Sequence, residues 1–386
     1  MSPETSLVVS TVRTLRLLLV SLLTLFSGAR DALTEEALTE EALTEEVSAD
    51  ERSIGYILPL TGDAAVFGIE AKRGLELAES ELKTRGIAVR LLLEDEKCLP
   101  KDAVSAWHKL DHVEKVSFIV GPSCTGSIVA TAPLALHAQR PLLALWDAGR
   151  EVEQAGEHVY SLGFDSEMEG ELVASYLMEH NLKRASVLWE EDKFAELVKE
   201  SFKEKFLSLG GEVVSQGSLH PGDQQTSALL LRLARNSPDA FFVSPAYSAV
   251  AILKAIRNLQ IRVPIFGQDT FGFPGVLETA GDAKEGLIFA NIELSQGTPE
   301  AHSFFEAYRN RFHEEPQSLA FAAFGYDSLI IAASLPPAIS EQRAALSSLQ
   351  WKGALPKGSF REGRMIRLAP TLFQVSENTV KRISPS

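Results

Sequence analysis

Residues 53–84 open with Ser53-Ile-Gly-Tyr-Ile-Leu-Pro-Leu-Thr-Gly62, continue through Asp63-Ala-Ala-Val-Phe-Gly68 and run on to Thr84. Ile54 to Leu58 is a short apolar run, and Pro59-Leu-Thr-Gly62 carries turn residues. From Gly68 to Thr84 the apolar positions return at helical spacing. The stretch therefore predicts a buried strand, a tight turn and a helix, the first half of a βα unit.

The same alternation continues downstream. Strands are expected at Val89–Glu94, Val116–Val120, Pro141–Leu145, Ala185–Trp189, Glu212–Gln216, Ala240–Ser244 and Pro264–Gly267. Between them fall a Pro-started helix from Lys101 and helices at Ser127–His137, Met168–His180, Phe194–Leu209, Ser227–Asn236 and Ala249–Leu259. Repeated βαβ units require a parallel sheet covered by helices on both faces. With 386 residues, 45 % of them hydrophobic, two such sheets fit the chain. The expected class is α/β.

The N-terminus reads as a targeting segment. Arg13 and Arg16 precede the apolar stretch Leu17 to Phe26, and the small residues Ser27, Gly28 and Ala29 follow at a plausible cleavage site. That stretch is too short to span a bilayer; a mispredicted start or a retained membrane anchor is the alternative. No cysteine lies nearby, which argues against lipid anchoring. The motif Ala32-Leu-Thr-Glu-Glu36 then recurs at Ala37 to Glu41 and Ala42 to Glu46, with a period that suits neither helix nor strand. Acids stand at 31, 35, 36, 40, 41, 45, 46, 50 and 51 with no base between, so much of the net charge of −15 sits here. Residues 1–29 are read as a signal peptide and 30–52 as an acidic linker. The remaining Lys and Arg are scattered rather than striped, which speaks against nucleic-acid binding.

Parallel sheets bind ligands beyond the carboxyl ends of their strands. The candidate site is therefore formed by the loops Leu60 to Phe67, Gly121 to Ser127, Leu145 to Arg150, Glu190 to Phe194, Pro245 to Tyr247 and Gln268 to Phe271. They hold hydroxyls, aromatics and acids. No Walker loop is present, and no Gly-x-Gly-x-x-Gly follows the first strand. Gly121-Pro-Ser-Cys-Thr-Gly126 lacks the nucleophile-elbow pattern, so neither Ser123 nor Cys124 is read as a catalytic nucleophile. As a helix N-terminus bearing hydroxyls it suits a carboxylate, or else it is simply a capped helix. His108 and His112 are spaced for zinc on a helix, but further ligands are missing and a solvated face is the preferred reading. No metal or cofactor is expected. The two cysteines, Cys98 and Cys124, are either a pair or two buried thiols.

Ile54 to Gly62 with Phe67-Gly68, Gly121 to Gly126, and Gly281-Asp-Ala-Lys-Glu-Gly286 together resemble the type I periplasmic binding proteins of branched-chain amino-acid ABC transporters, the Leu/Ile/Val-binding family. The likeness runs from about residue 53 to 335. It implies two Rossmann-like lobes with parallel sheets joined by a three-strand hinge, one lobe 53–164 plus 291–338 and the other 165–290 plus 339–386. The cysteines fall where leucine-binding members carry a disulfide, which would stabilise the first lobe by about 3 kcal/mol in the chain-entropy model.

The resemblance also implies a ligand set. Thr125 stands where the family has a hydroxyl for the ligand carboxylate, and Asp269 aligns with the acid that pairs with the ligand ammonium; a turn aspartate is the alternative for Asp269. Trp146-Asp147-Ala148 replaces the family's usual Ser-Ala-Thr, and Phe194-Ala195 replaces Tyr-Gly. Phe67, Trp146 and Phe194 are expected against the ligand side chain, with Tyr247 a further aromatic candidate; Phe67 and Tyr247 serve packing equally well. The extra acid and indole point away from plain leucine, towards a ligand with an added positive charge or amide donors. The expected protein is an exported, monomeric, non-enzymatic receptor for an amino acid or analogue that docks on an ABC permease. A ligand-sensing regulatory module, of the amide-sensor or peptidoglycan-synthase-activator type, is the alternative.

Overall fold

A computed structural model describes residues 52–220, 225–294, 298–356, 358–361 and 363–383. The expected signal peptide and all of the acidic linker except Arg52 lie outside the described residues.

The apolar run after Arg52 forms β1 (Arg52–Leu58), whose last five residues are buried. A strand apolar on both faces belongs inside a parallel sheet. β1 sits between β2 (Val89–Asp95) and β3 (Phe118–Val120), and β4 (Leu142–Ala144) and β5 (Val159–Ser161) complete the order β2-β1-β3-β4-β5, all parallel. The second sheet repeats this winding as β7-β6-β8-β9-β10, with β6 Arg184–Glu190, β7 Glu212–Leu219, β8 Ala240–Ser244, β9 Ile265–Gly267 and β10 Ile288–Ile292. In both sheets the order reverses between the first and third strands, so both switch points open on the same strand ends.

Helices follow most strands: α1 (Ala65–Thr84), α2 (Pro100–His108), α3 (Thr125–His137), α4 (Arg150–Gln154), α5 (Ser166–Glu179), α6 (Lys193–Ser208), α7 (Thr226–Ala234), α8 (Ala249–Asn258) and α9 (Pro274–Ala280). α10 (Pro299–Phe312), α11 (Leu319–Ser334) and α12 (Ile339–Ser348) come after β10. α11 is apolar almost all round and lies deep in the first core, as such a helix must. Its backbone meets α1 so closely that a Cβ on Gly74 or Gly325 would stand 1.9 Å from a carbonyl oxygen of the other helix. Among the described residues no helix is long and apolar enough to cross a membrane. His108 and His112 stack at 5.4 Å, both exposed.

Two expectations change. The second sheet is not wholly parallel, because β11 (Pro370–Ser376) pairs antiparallel with β10 and with β12 (Thr379–Ile383). The two-residue turn Glu377-Asn378 has φ of 53° and 61°, the left-handed geometry of a tight hairpin, and a hairpin allows no parallel return. Residues 339–368, expected in the second lobe, pack on the first. Leu346, Trp351, Leu355, Phe360 and Ile366 join the core around β1 and α11. Asp327 of α11 holds the segment by accepting from Trp351 Nε1 at 2.9 Å and from the main chain of Ala354 at 2.7 Å and Leu355 at 3.2 Å. Only residues 370–383 enter the second sheet. The chain thus passes between the sheets after β5, after β10 and before β11, and the first and third passages pair through Ser161 with Met365 and Phe164 with Leu368.

Candidate ligand-binding cleft

The carboxyl ends of the two sheets face each other across a cavity of about 250 Å³. Seven of the eight candidate residues line it: Phe67, Thr125, Trp146, Asp147, Phe194, Tyr247 and Asp269. Ala148 does not. It is fully buried among Ile128, Val152 and Met365, and its N–H donates to the carbonyl of Phe164 at 2.8 Å. In the extended backbone that pairs Asp147 with Phe164, neighbouring side chains point opposite ways, so Asp147 in the cleft sends Ala148 into the core.

The turn after β3 positions Thr125. Gly121 has φ +88°, and a Cβ there would meet the Ile57 carbonyl at 2.3 Å, so the chain turns sharply against β1 and α3 starts at the cavity wall. Cys124, just ahead of the helix, is joined to Cys98 by a disulfide with the Cα atoms 5.3 Å apart. The Ser123 N–H donates to Glu96 Oε1 at 2.7 Å, and burial pushes the Glu96 carboxyl up to about 7.

The hydroxyl of Thr125 donates to Asp147 Oδ2. Asp147 Oδ1 accepts from the Gly149 N–H at 3.0 Å and from Ser166 Oγ at 3.2 Å. Burial raises the Asp147 carboxyl above the usual range, and the Thr125 bond works against that rise. Across the cleft, burial pushes Asp269 up to about 7. The Asp269 N–H donates to Glu169 Oε2 at 3.0 Å. Glu169 is fully buried on α5, its Oε1 has no partner among the described residues, and its carboxyl is raised by burial and then by the charge of Asp269.

Glu169 was not among the residues expected here. Glu167, Glu169 and Glu171 look alike in sequence, and only the helix face separates them. Val173, Ala174 and Leu177 are buried, and Glu169 lies one turn ahead on the same stripe. Gly170 beside it packs so tightly on α6 that a Cβ would stand 2.3 Å from the Val198 carbonyl.

The second sheet contributes carboxylates of its own. Glu190 Oε2 accepts the N–H groups of Ala246, Tyr247 and Ser248 at 2.6, 2.6 and 2.9 Å, holding the loop that leads into α8. Asp192 caps α6 by accepting from Phe194 at 2.9 Å and Ala195 at 3.3 Å. Burial raises the Tyr247 hydroxyl above its ordinary range.

Aromatic rings build the rest of the wall. Phe321 of α11 stacks on Phe67 at 5.0 Å and meets Trp146 edge-on at 4.8 Å, while Phe164 and Phe194 form a perpendicular pair at 6.4 Å. Phe321 and Phe164 escape a reading confined to strand-end loops, since one sits on a late helix and the other on a passage between sheets. Lys193 at the rim pairs with Glu151 at 2.6 Å, tying α6 to α4.

Ser123 and the two cysteines are all engaged in structural bonds. Both thiols are spent in the disulfide, and Ser123 Oγ donates to the Ile57 carbonyl at 3.3 Å. Among the described residues no group of three His, Cys, Asp or Glu is placed to hold a metal ion. The cleft is arranged for binding a small molecule between aromatic faces and carboxylates.

A family model described as periplasmic binding protein matches residues 51–376. The chain belongs to that family, in its type I branch. This family member is 23 % identical over 262 residues to the Leu/Ile/Val-binding protein BraC3 of Rhizobium johnstonii, covering 66 % of this chain and 71 % of that one. It is 20 % identical over 294 residues to the leucine-, isoleucine-, valine-, threonine- and alanine-binding protein of Pseudomonas aeruginosa, covering 74 % and 78 %. Its fold is similar to the branched-chain amino acid transporter substrate binding protein LivJ of Streptococcus pneumoniae in complex with isoleucine, at a TM-score of 0.75, 24 % identity and coverage of 87 % and 100 %. An R. palustris ABC-transporter solute binding protein in complex with 4-hydroxybenzoate superposes at 0.77, with 20 % identity and coverage of 87 % and 96 %. The α/β architecture with two parallel-sheet regions is that of type I periplasmic binding proteins.

Proposed function

We propose that this chain is an extracytoplasmic receptor of an ABC importer that takes up an amino-acid-like solute and performs no chemistry on it. The observation that carries the reading is Asp269, a carboxyl at the wall of a cleft that is also lined by the rings of Phe67, Trp146, Phe194 and Phe321. A carboxylate beside ring faces is a receptor for an ammonium group with an apolar body. Relatives named as amino-acid-binding proteins, and structures titled as ABC-transporter components, support a membrane permease as the partner. The Cys98–Cys124 disulfide supports an oxidising compartment, in keeping with export by residues 1–29.

In this reading two lobes, 53–164 plus 291–368 and 165–290 plus 369–386, close on the ligand as a monomer. The Lys193–Glu151 pair bridges them at the rim. Scanning calorimetry against amino acids, amines and amides tests the proposal: a true ligand raises the melting temperature in proportion to the logarithm of its excess. A panel that leaves the melting temperature unmoved overturns it, as does turnover of a bound compound.

A further inference from the structure

We propose that the cleft selects amines that carry no free carboxylate, and that Asp147 is the residue setting this specificity. The inference rests on the receptor reading above and names its substrate class.

A ligand carboxylate needs donors, and several of those around the cleft are already committed. The natural places are the N-termini of α3, α6 and α8, where main-chain N–H groups converge and the helix dipole favours an anion. In the loop leading into α8, Glu190 takes the N–H groups of residues 246–248. At α6, Asp192 takes those of Phe194 and Ala195. Ahead of α3, Glu96 takes the N–H of Ser123, and the hydroxyl of Thr125, the side-chain donor that lines the cavity there, is given to Asp147. A carboxylate seeking that hydroxyl would have to displace Asp147, which is itself tethered through Gly149 and Ser166 and is only 1 % exposed.

Charge points the same way. The cavity is lined by Asp147, Glu191, Asp192 and Asp269 against one cation, Lys193, which is paired with Glu151 at 2.6 Å. Glu169, fully buried and bonded to the main chain of Asp269, adds a carboxyl oxygen with no partner among the described residues. Among so many carboxyls a further anion is repelled, whereas an ammonium gains Asp269 and Asp147 together with the rings of Trp146 and Phe67. The chemistry that fits is a primary amine on an aliphatic or aromatic body, or an amino acid whose carboxyl is masked as an amide or ester.

Calorimetric titration of the full chain at about pH 8 with matched pairs tests this: 3-methylbutylamine and leucinamide against leucine, and phenethylamine against phenylalanine. The amine or amide is expected to bind at least about tenfold tighter than its amino acid. In Asp147→Asn and Asp147→Ser the gap narrows, chiefly because the amino acid gains affinity. An amino acid that binds wild type as tightly as its amine overturns the inference and leaves the receptor reading standing. A preference unchanged in folded Asp147→Asn removes Asp147 as its cause, and should that variant not fold, the wild-type ratio still decides the selectivity. If neither member of either pair binds, the inference fails together with the reading beneath it.

Discussion

The N–H of Asp269 reaches Glu169 Oε2 at 3.0 Å, so two buried carboxyl groups a hundred residues apart lie together, Asp269 at the cleft wall and Glu169 behind it. Such a pair is costly when both groups are ionised and no cation is near. An incoming ammonium relieves that cost, which couples ligand binding, protonation and stability.

The coupling fixes the sign of the pH dependence. Asp269 titrates near 3.8 when free and at about 7 in the fold. Between those values the folded chain holds a proton that the unfolded chain has lost, so stability falls as pH rises through this window. Glu96, shifted to about 7, and Asp327, shifted to about 6, act in the same direction. Ligand-free protein is therefore expected to melt at a lower temperature at about pH 7.5 than at about pH 5, apart from the opposite contribution of exposed, ion-paired acids. Amine affinity should rise over the same interval, with net proton release on binding, and calorimetry in buffers of different ionisation enthalpy measures it.

Asp269→Asn separates the two roles of that carboxyl. Neutralising a buried, destabilising charge should raise the melting temperature of the ligand-free protein above about pH 7. Losing the counter-charge should weaken amine binding by about 3 kcal/mol, roughly a hundredfold. Scanning and titration calorimetry on one preparation give both numbers. A gain in stability without loss of affinity would place the ammonium elsewhere.

Asp327 is predicted to be structural. Its carboxylate accepts from Trp351, Ala354 and Leu355, and Asp327→Ala leaves those donors buried without a partner. The expected loss is about 3 kcal/mol of unfolding free energy. Denaturant titration at constant slope checks it, while affinity for a bound solute should change little because the residue lies away from the cavity wall.

Replacing both Cys98 and Cys124 by serine opens a loop closed across 26 residues. The chain-entropy model predicts a loss of about 3 kcal/mol. Since Cys124 immediately precedes α3, the double variant should also weaken ligand binding by loosening the Thr125 turn. Protein purified from an oxidising compartment should show no free thiol by mass spectrometry.

Much of this arrangement was open to a reading of residue order because it is local. A run such as Ile54 to Leu58 followed by Pro59-Leu-Thr-Gly62 reads as a short buried strand and its turn, and ligands gather where such strands end. Seven of eight candidate residues accordingly line the cavity. Ala148 failed because extended backbone alternates, and which of two neighbours faces the cleft depends on how Asp147 pairs with Phe164. The segment 339–368 was misplaced because the partners that hold it, Tyr160 and Asp327 among them, come from distant parts of the chain.

Local pattern by itself determined the βα units, the candidate loops and the lack of any recognisable catalytic or metal-binding motif, since periodicity and turn chemistry act between near neighbours. The family followed from motifs spread along the chain. Only the tertiary structure decided who owns the hydroxyl of Thr125, because its acceptor Asp147 arrives on another strand end 22 residues later. Only the tertiary structure brought Glu169 under Asp269, because α5 packs beside the end of β9, and Asp269, just after that strand, lies a hundred positions later. The electrostatics of a cleft belong to distances across it, and residue order along the chain does not contain them.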